Sequence, residues 1–146
     1  MKIVSQAFKN GASIPKKYTG EGEDISPPFH LEAIPKEAKS LAVIMDDPDA
    51  PMGTFDHWIG WNIPSNWQEF KEGEELPNQG TNHFGDLKYR GPMPPKGHGT
   101  HHYHFKFFAL DKIFDLADGI SKEDLERAMK GRILAQAEWI GTYERC

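Results

Sequence analysis

Cysteine is almost absent: the single thiol is Cys146, the last of 146 residues. No intrachain disulfide and no cysteine-based metal site can form, and a reducing compartment suits such usage. Long apolar runs are also lacking. No stretch approaches membrane-spanning length, and the start, Met1-Lys2-Ile3-Val4-Ser5-Gln6-Ala7-Phe8, has no apolar core followed by a small-residue cleavage site. The sequence therefore predicts a cytoplasmic protein with no stable membrane insertion. Basic residues are in the minority, 17 Lys plus Arg against 22 Asp plus Glu for a formal charge of -5, and no basic run occurs. Nucleic acid is not expected as a partner. There is no Gly-x-Ser-x-Gly elbow, and Cys146 stands on a terminus expected to fray, which argues against nucleophilic catalysis by a Ser or Cys. No repeat, low-complexity tract or change of composition marks a linker, so a length near the modal domain size predicts one domain over 1–146.

Bulky apolar material, in contrast, is plentiful, with four Trp and nine Phe available for a core. Eleven prolines and fourteen glycines are spread along the chain, punctuating short β-like runs in the manner of an all-β sandwich. Ser40 to Asp46 is a nearly continuous apolar run, which suits a central strand buried on both faces. His57 to Ile63 is similar and is closed by Pro64. His101 to Leu110 is a third, with Tyr103, Phe105 and Phe107 on one face and His102, His104, Lys106 and Phe108 on the other. These three strands are expected at the centre of the sheet. Ser121-Lys122-Glu123-Asp124 resembles a capping box, predicting a helix from Ser121 to Lys130 that ends at Gly131. The alternation of Ile133, Ala135, Ala137 and Trp139 predicts a closing strand, with a continued helix as the alternative. Residues 65–100 show no regular pattern, and the charged stretch Lys71 to Glu75 reads as a solvated turn.

Three polar constellations sit at strand entries. In Asp46-Asp47-Pro48-Asp49-Ala50-Pro51 two prolines stiffen a loop carrying the carboxylates of Asp47 and Asp49. The stretch Gly91 to His104 delivers His101 and Tyr103 from a stiff Pro/Gly loop to one strand face, an imidazole and a phenol able to donate to one oxyanion. In Phe55-Asp56-His57-Trp58 a histidine enters an aromatic strand. Convergence of these entries would form a small polar pocket with apolar walls. A metal is not expected: His102-Tyr103-His104 offers a His-x-His pair, but no Glu follows at the required distance, and both histidines face away from His101. No cofactor is expected. Acid-base or metal-assisted catalysis by the same pocket residues stands as the alternative to simple binding.

The motifs Asp24-Ile25-Ser26-Pro27-Pro28, Asp47-Pro48-Asp49-Ala50-Pro51, His57-Trp58, Pro94-Pro95-Lys96-Gly97, His101-His102-Tyr103 and Ile140-Gly141-Thr142-Tyr143, in this order, resemble the phosphatidylethanolamine-binding protein or Raf kinase inhibitor-like family, in its small bacterial and archaeal branch. The resemblance implies antiparallel β-sheets with Greek-key connections, one or two short helices, and one shallow anion pocket. It implies a lining of Asp47, Asp49, His57, Pro94, Pro95, His101 and Tyr103, with Phe55 as a wall. The family's pocket takes phosphate-type groups, including phospholipid head groups, and the family includes regulators of protein partners, kinases or proteases; the small branch implies a homodimer. Two residues depart from the pattern: His102 stands where His-Arg-Tyr is common, and Met93 where some members carry Gly before the proline pair. Two carboxylates would repel a bound phosphate, which points to a ligand with a cationic or protonated neighbour. In that arrangement His57 and His101 donate to the phosphate while Asp47 accepts from an ammonium or orients a histidine.

Overall fold

The strands are β1 (Lys2–Val4), β2 (Phe29–Glu32), β3 (Ser40–Asp47), β4 (Phe55–Pro64), β5 (Glu69–Phe70), β6 (Asn78–Gln79), β7 (His101–Leu110) and β8 (Ile133–Tyr143) in the computed structural model, which describes residues 1–146. A single helix, α1 (Lys122–Met129), and a 3-10 turn at Lys16–Tyr18 complete the list. The expected all-β fold with few short helices is the fold found. No helix is long and apolar enough to cross a membrane.

Two antiparallel sheets form, one ordered β1-β2-β5 and one ordered β6-β4-β3-β7-β8. In the larger sheet β7 returns to lie beside β3 rather than beside β6, which is the Greek-key order. The three long apolar runs are its central strands, as the sequence predicts, and every residue of β3 is buried. Alternation divides that strand between two cores. Leu41, Val43 and Met45 join Phe105 and Phe107 in the larger core, while Ala42 and Ile44 join Phe108 and Leu110 in the smaller. The smaller sheet closes the larger core, with the Phe29 ring 5.0 Å from Phe105 and 5.2 Å from Phe107. Each such buried ring contributes roughly 1.5–3 kcal/mol. Leu125 and Met129 of α1 cover the smaller core on the opposite face. The Ser121 hydroxyl accepts from the Asp124 amide at 3.1 Å, as the capping motif predicts.

Two irregularities in β4 decide where its side chains go. Leu41 pairs with Ile63 but Val43 with Gly60, and Asn62 sits in this shift with φ of 55°. The extra residue transfers Ile63 to the larger core, although Trp61 lies in the smaller. The Asn62 amide is held on both sides, donating to Phe114 O at 2.7 Å and accepting from Phe114 N at 2.8 Å. The second shift falls at the other end of the strand: Met45 pairs with Trp58 but Asp46 with Asp56, which leaves His57 as the extra residue.

Candidate functional site

That second bulge builds the site. In a regular strand neighbours face opposite sides, yet Trp58 joins the larger core and His57 packs edge-on against Tyr103 of the same core at 5.3 Å. Asp47 ends β3, Phe55 and His57 begin β4, and His101 and Tyr103 begin β7. All five therefore meet at one end of the larger sheet, with Pro94 and Pro95 arriving on the preceding loop. These seven line one cavity of about 480 Å³, whose walls are completed by the β3–β4 loop and by His83, Phe84 and Met93.

Asp49 is the exception among the expected lining residues. Its backbone N–H donates to Asp47 Oδ1 at 2.8 Å, so the chain turns sharply after β3. The Asp49 carboxylate then points away from the cavity and accepts from the His102 amide and ring, both at 2.8 Å. This hydrogen bond from His102 holds the Asp49 carboxyl below its ordinary pKa. Asp49 is thus a clasp between the loop and β7, and only one carboxylate remains inside.

That carboxylate is matched. His101 Nδ1 donates to Asp47 Oδ2 at 2.6 Å, with both side chains buried. The expected role of Asp47 in orienting a histidine is the geometry found. The expectation that His57 donates to a phosphate is not met. Its Nδ1 lies 2.7 Å from Arg90 O, a pure acceptor, so Nδ1 carries the proton. Burial pushes the His57 pKa down to about 4, so the ring is neutral at pH 7 and its Nε2 offers a lone pair rather than a proton. Tyr103 supplies the opposite polarity: burial, then the charge of Asp47 and a hydrogen bond with it, raise its pKa, so it stays a protonated phenol beside Asp47. No lysine or arginine lines the cavity. Phe55 forms a wall as expected, its ring 5.0 Å from His57 and 4.8 Å from Phe84.

Comparisons with known proteins identify the family and the fold. A family model described as phosphatidylethanolamine-binding protein matches residues 4–144. A UPF0098 protein of Pyrococcus abyssi is 50% identical over 156 aligned residues, spanning 99% of this chain and 86% of the relative. A crystal structure described as a phosphatidylethanolamine-binding protein homologue from Chlamydia trachomatis superposes with a TM-score of 0.93 at 41% identity, covering 99% of this chain and 97% of that one. Escherichia coli YbcL, described as a member of the mammalian family, gives 0.91 at 29% identity, covering 99% and 98%. The chain belongs to the phosphatidylethanolamine-binding protein family.

In this member of the family the two departures from the motif fall on different surfaces. Met93 lines the cavity mouth, whereas His102 lies outside it on Asp49. The loop bearing Met93 is fixed at Gly91, whose N–H donates to Asp24 Oδ1 at 2.6 Å. A Cβ there would stand 2.1 Å from Tyr18 O and 2.9 Å from Thr19 Cα, both backbone atoms that cannot step aside. Gly91→Ala should lower the unfolding free energy by about 1–3 kcal/mol, as overpacking does. Urea denaturation at pH 7 checks it, and a midpoint equal to wild type would refute the steric reading.

Several cavity residues carry no legible sequence signal. His83 and Phe84 come from the irregular region after β6, and the bulge at His57 has no glycine or other mark. His98 carries no such signal either: its Nδ1 lies 2.6 Å from His101 Nε2, on an exposed loop that no periodicity singles out.

Proposed function

We propose that this protein binds a small phosphate-bearing ligand in the cavity and performs no reaction on it. The ligand brings its own hydrogen-bond donor, either a P–OH or an adjacent ammonium group. The observation that carries the reading is the pairing of an acceptor, His57 Nε2, with a donor, Tyr103, in a cavity that has no fixed cation. A bare dianion would find a donor at Tyr103 but repulsion from the Asp47 carboxylate and the His57 lone pair. A protonated phosphate or a zwitterion satisfies both ends. The family's description as phosphatidylethanolamine-binding and its apolar cavity walls agree with a head group followed by an apolar body.

Sulfate, which has the shape of phosphate but no proton to give near neutral pH, is the discriminating probe. Calorimetric titration at pH 6 should find inorganic phosphate binding at least about tenfold more tightly than sulfate, because a buried acceptor left unpaired is costly. The preference should narrow but persist at pH 8, where phosphate carries the same charge as sulfate yet keeps one P–OH. Equal affinities for the two ions would overturn the donor requirement, and release of inorganic phosphate from O-phosphoethanolamine would favour an enzyme instead.

A further inference from the structure

We propose that His98 is a built-in competitor for the ligand, a displaceable imidazole that occupies the one nitrogen of His101 able to reach a bound phosphate. The inference rests on the ligand-binding reading above and adds a specificity-determining residue to it.

Both nitrogens of His101 are already engaged. Nδ1 is bound to Asp47 Oδ2 at 2.6 Å and Nε2 to His98 Nδ1 at 2.6 Å. One partner must let go before His101 can contact a ligand. The two sides are unequal. The Asp47 and His101 side chains are 4% and 2% exposed, and parting them would strand a buried carboxylate. His98 is exposed, its ring has no other hydrogen bond, and its loop is flanked by Gly97 and Gly99. Both glycines have positive φ, 74° and 94°, with open space where a side chain would stand. The loop is held by a turn from His98 N to Pro95 O at 3.2 Å and by Gly97 N to Arg145 O at 3.1 Å. His98 is therefore the partner that yields.

Removing one net hydrogen bond from the competing state has a readable size. His98→Ala should bind inorganic phosphate about three- to tenfold more tightly than wild type, measured by calorimetric titration at pH 6. Nitrogen-15 imidazole spectra of the wild type should show the His98 Nδ1 signal moving to the position of a solvated imidazole as phosphate saturates. Affinity unchanged or weakened in His98→Ala, or a His98 signal that stays in place at saturation, would overturn the competitor role while leaving the pocket assignment intact. Failure of both proteins to bind phosphate would instead overturn the ligand reading, and the competitor role with it.

Discussion

Replacing Lys122 with methionine should lower the unfolding free energy by about 3–5 kcal/mol, the usual result of leaving buried charge without its counter-ion. Asp46 and Asp56 face each other across β3 and β4, and like charges directly opposite in a sheet repel. Both side chains are almost fully buried, and Lys122 Nζ reaches them together, 2.9 Å from Asp56 Oδ1 and 3.4 Å from Asp46 Oδ2. The closer contact is Coulombic rather than a well-aligned bond, since Asp56 Oδ1 has no hydrogen-bond donor of acceptable geometry. Lys106, at 3.3 Å from Asp46 Oδ2, is a third exposed and compensates only in part. Lys122 is the first residue of α1, a position where the helix dipole disfavours a cation, so the carboxylates are what hold it there. Burial lowers its pKa, but the close contact with the Asp56 carboxylate and then the charge of Asp46 outweigh that and raise it. Its contribution is accordingly complete below 10.5, the ordinary lysine value, and fades only as pH climbs through the raised one. Urea denaturation at pH 7 measures the loss, and Lys122→Met combined with Asp56→Asn should recover much of it by removing the orphaned charge. A loss below about 1 kcal/mol in the single variant would show that the three groups are solvated rather than coupled.

This buried cluster shows where the sequence is legible and where it is not. Its members were invisible as a set because Asp46, Asp56 and Lys122 lie in three elements and none carries a local pattern. The long strands were legible because burial on both faces leaves an unbroken apolar run, as in Ser40–Asp47. The short strands of the smaller sheet were not: Lys2–Val4 and Glu69–Phe70 are too brief to show a period. Within the cavity, Asp47, His101 and Tyr103 follow from strand ends and alternation, which require no tertiary knowledge. The family resemblance implies Asp49 in the lining, and a stiff loop between two prolines does not reveal which way its carboxylate points. The turn made by Asp47 Oδ1 sends it outward instead. The polarity of His57 was equally out of reach, since it depends on Arg90 O, 33 residues away in the chain.

That polarity has a thermodynamic signature in the acid range. The native His57 takes up a proton only near pH 4, against 6.5 for an unperturbed ring, chiefly because burial disfavours the charged form. Between these values the unfolded chain binds the proton and the native chain does not, so stability rises with pH across the window and is lost as pH falls from 6.5 toward 4. The displacement corresponds to about 3 kcal/mol when the window has been crossed. Other groups titrate in the same range, and a variant isolates the histidine: His57→Gln keeps a donor for Arg90 O but has no proton to gain. The difference in unfolding free energy between wild type and His57→Gln, taken from urea titrations at several pH values, should be constant above pH 7. It should shift against the wild type by about 3 kcal/mol toward pH 4. A pH-independent difference would mean that His57 ionises in the folded protein as it does in water. Nε2 would then carry a proton and donate in mild acid, and the preference for phosphate over sulfate would lose its structural basis.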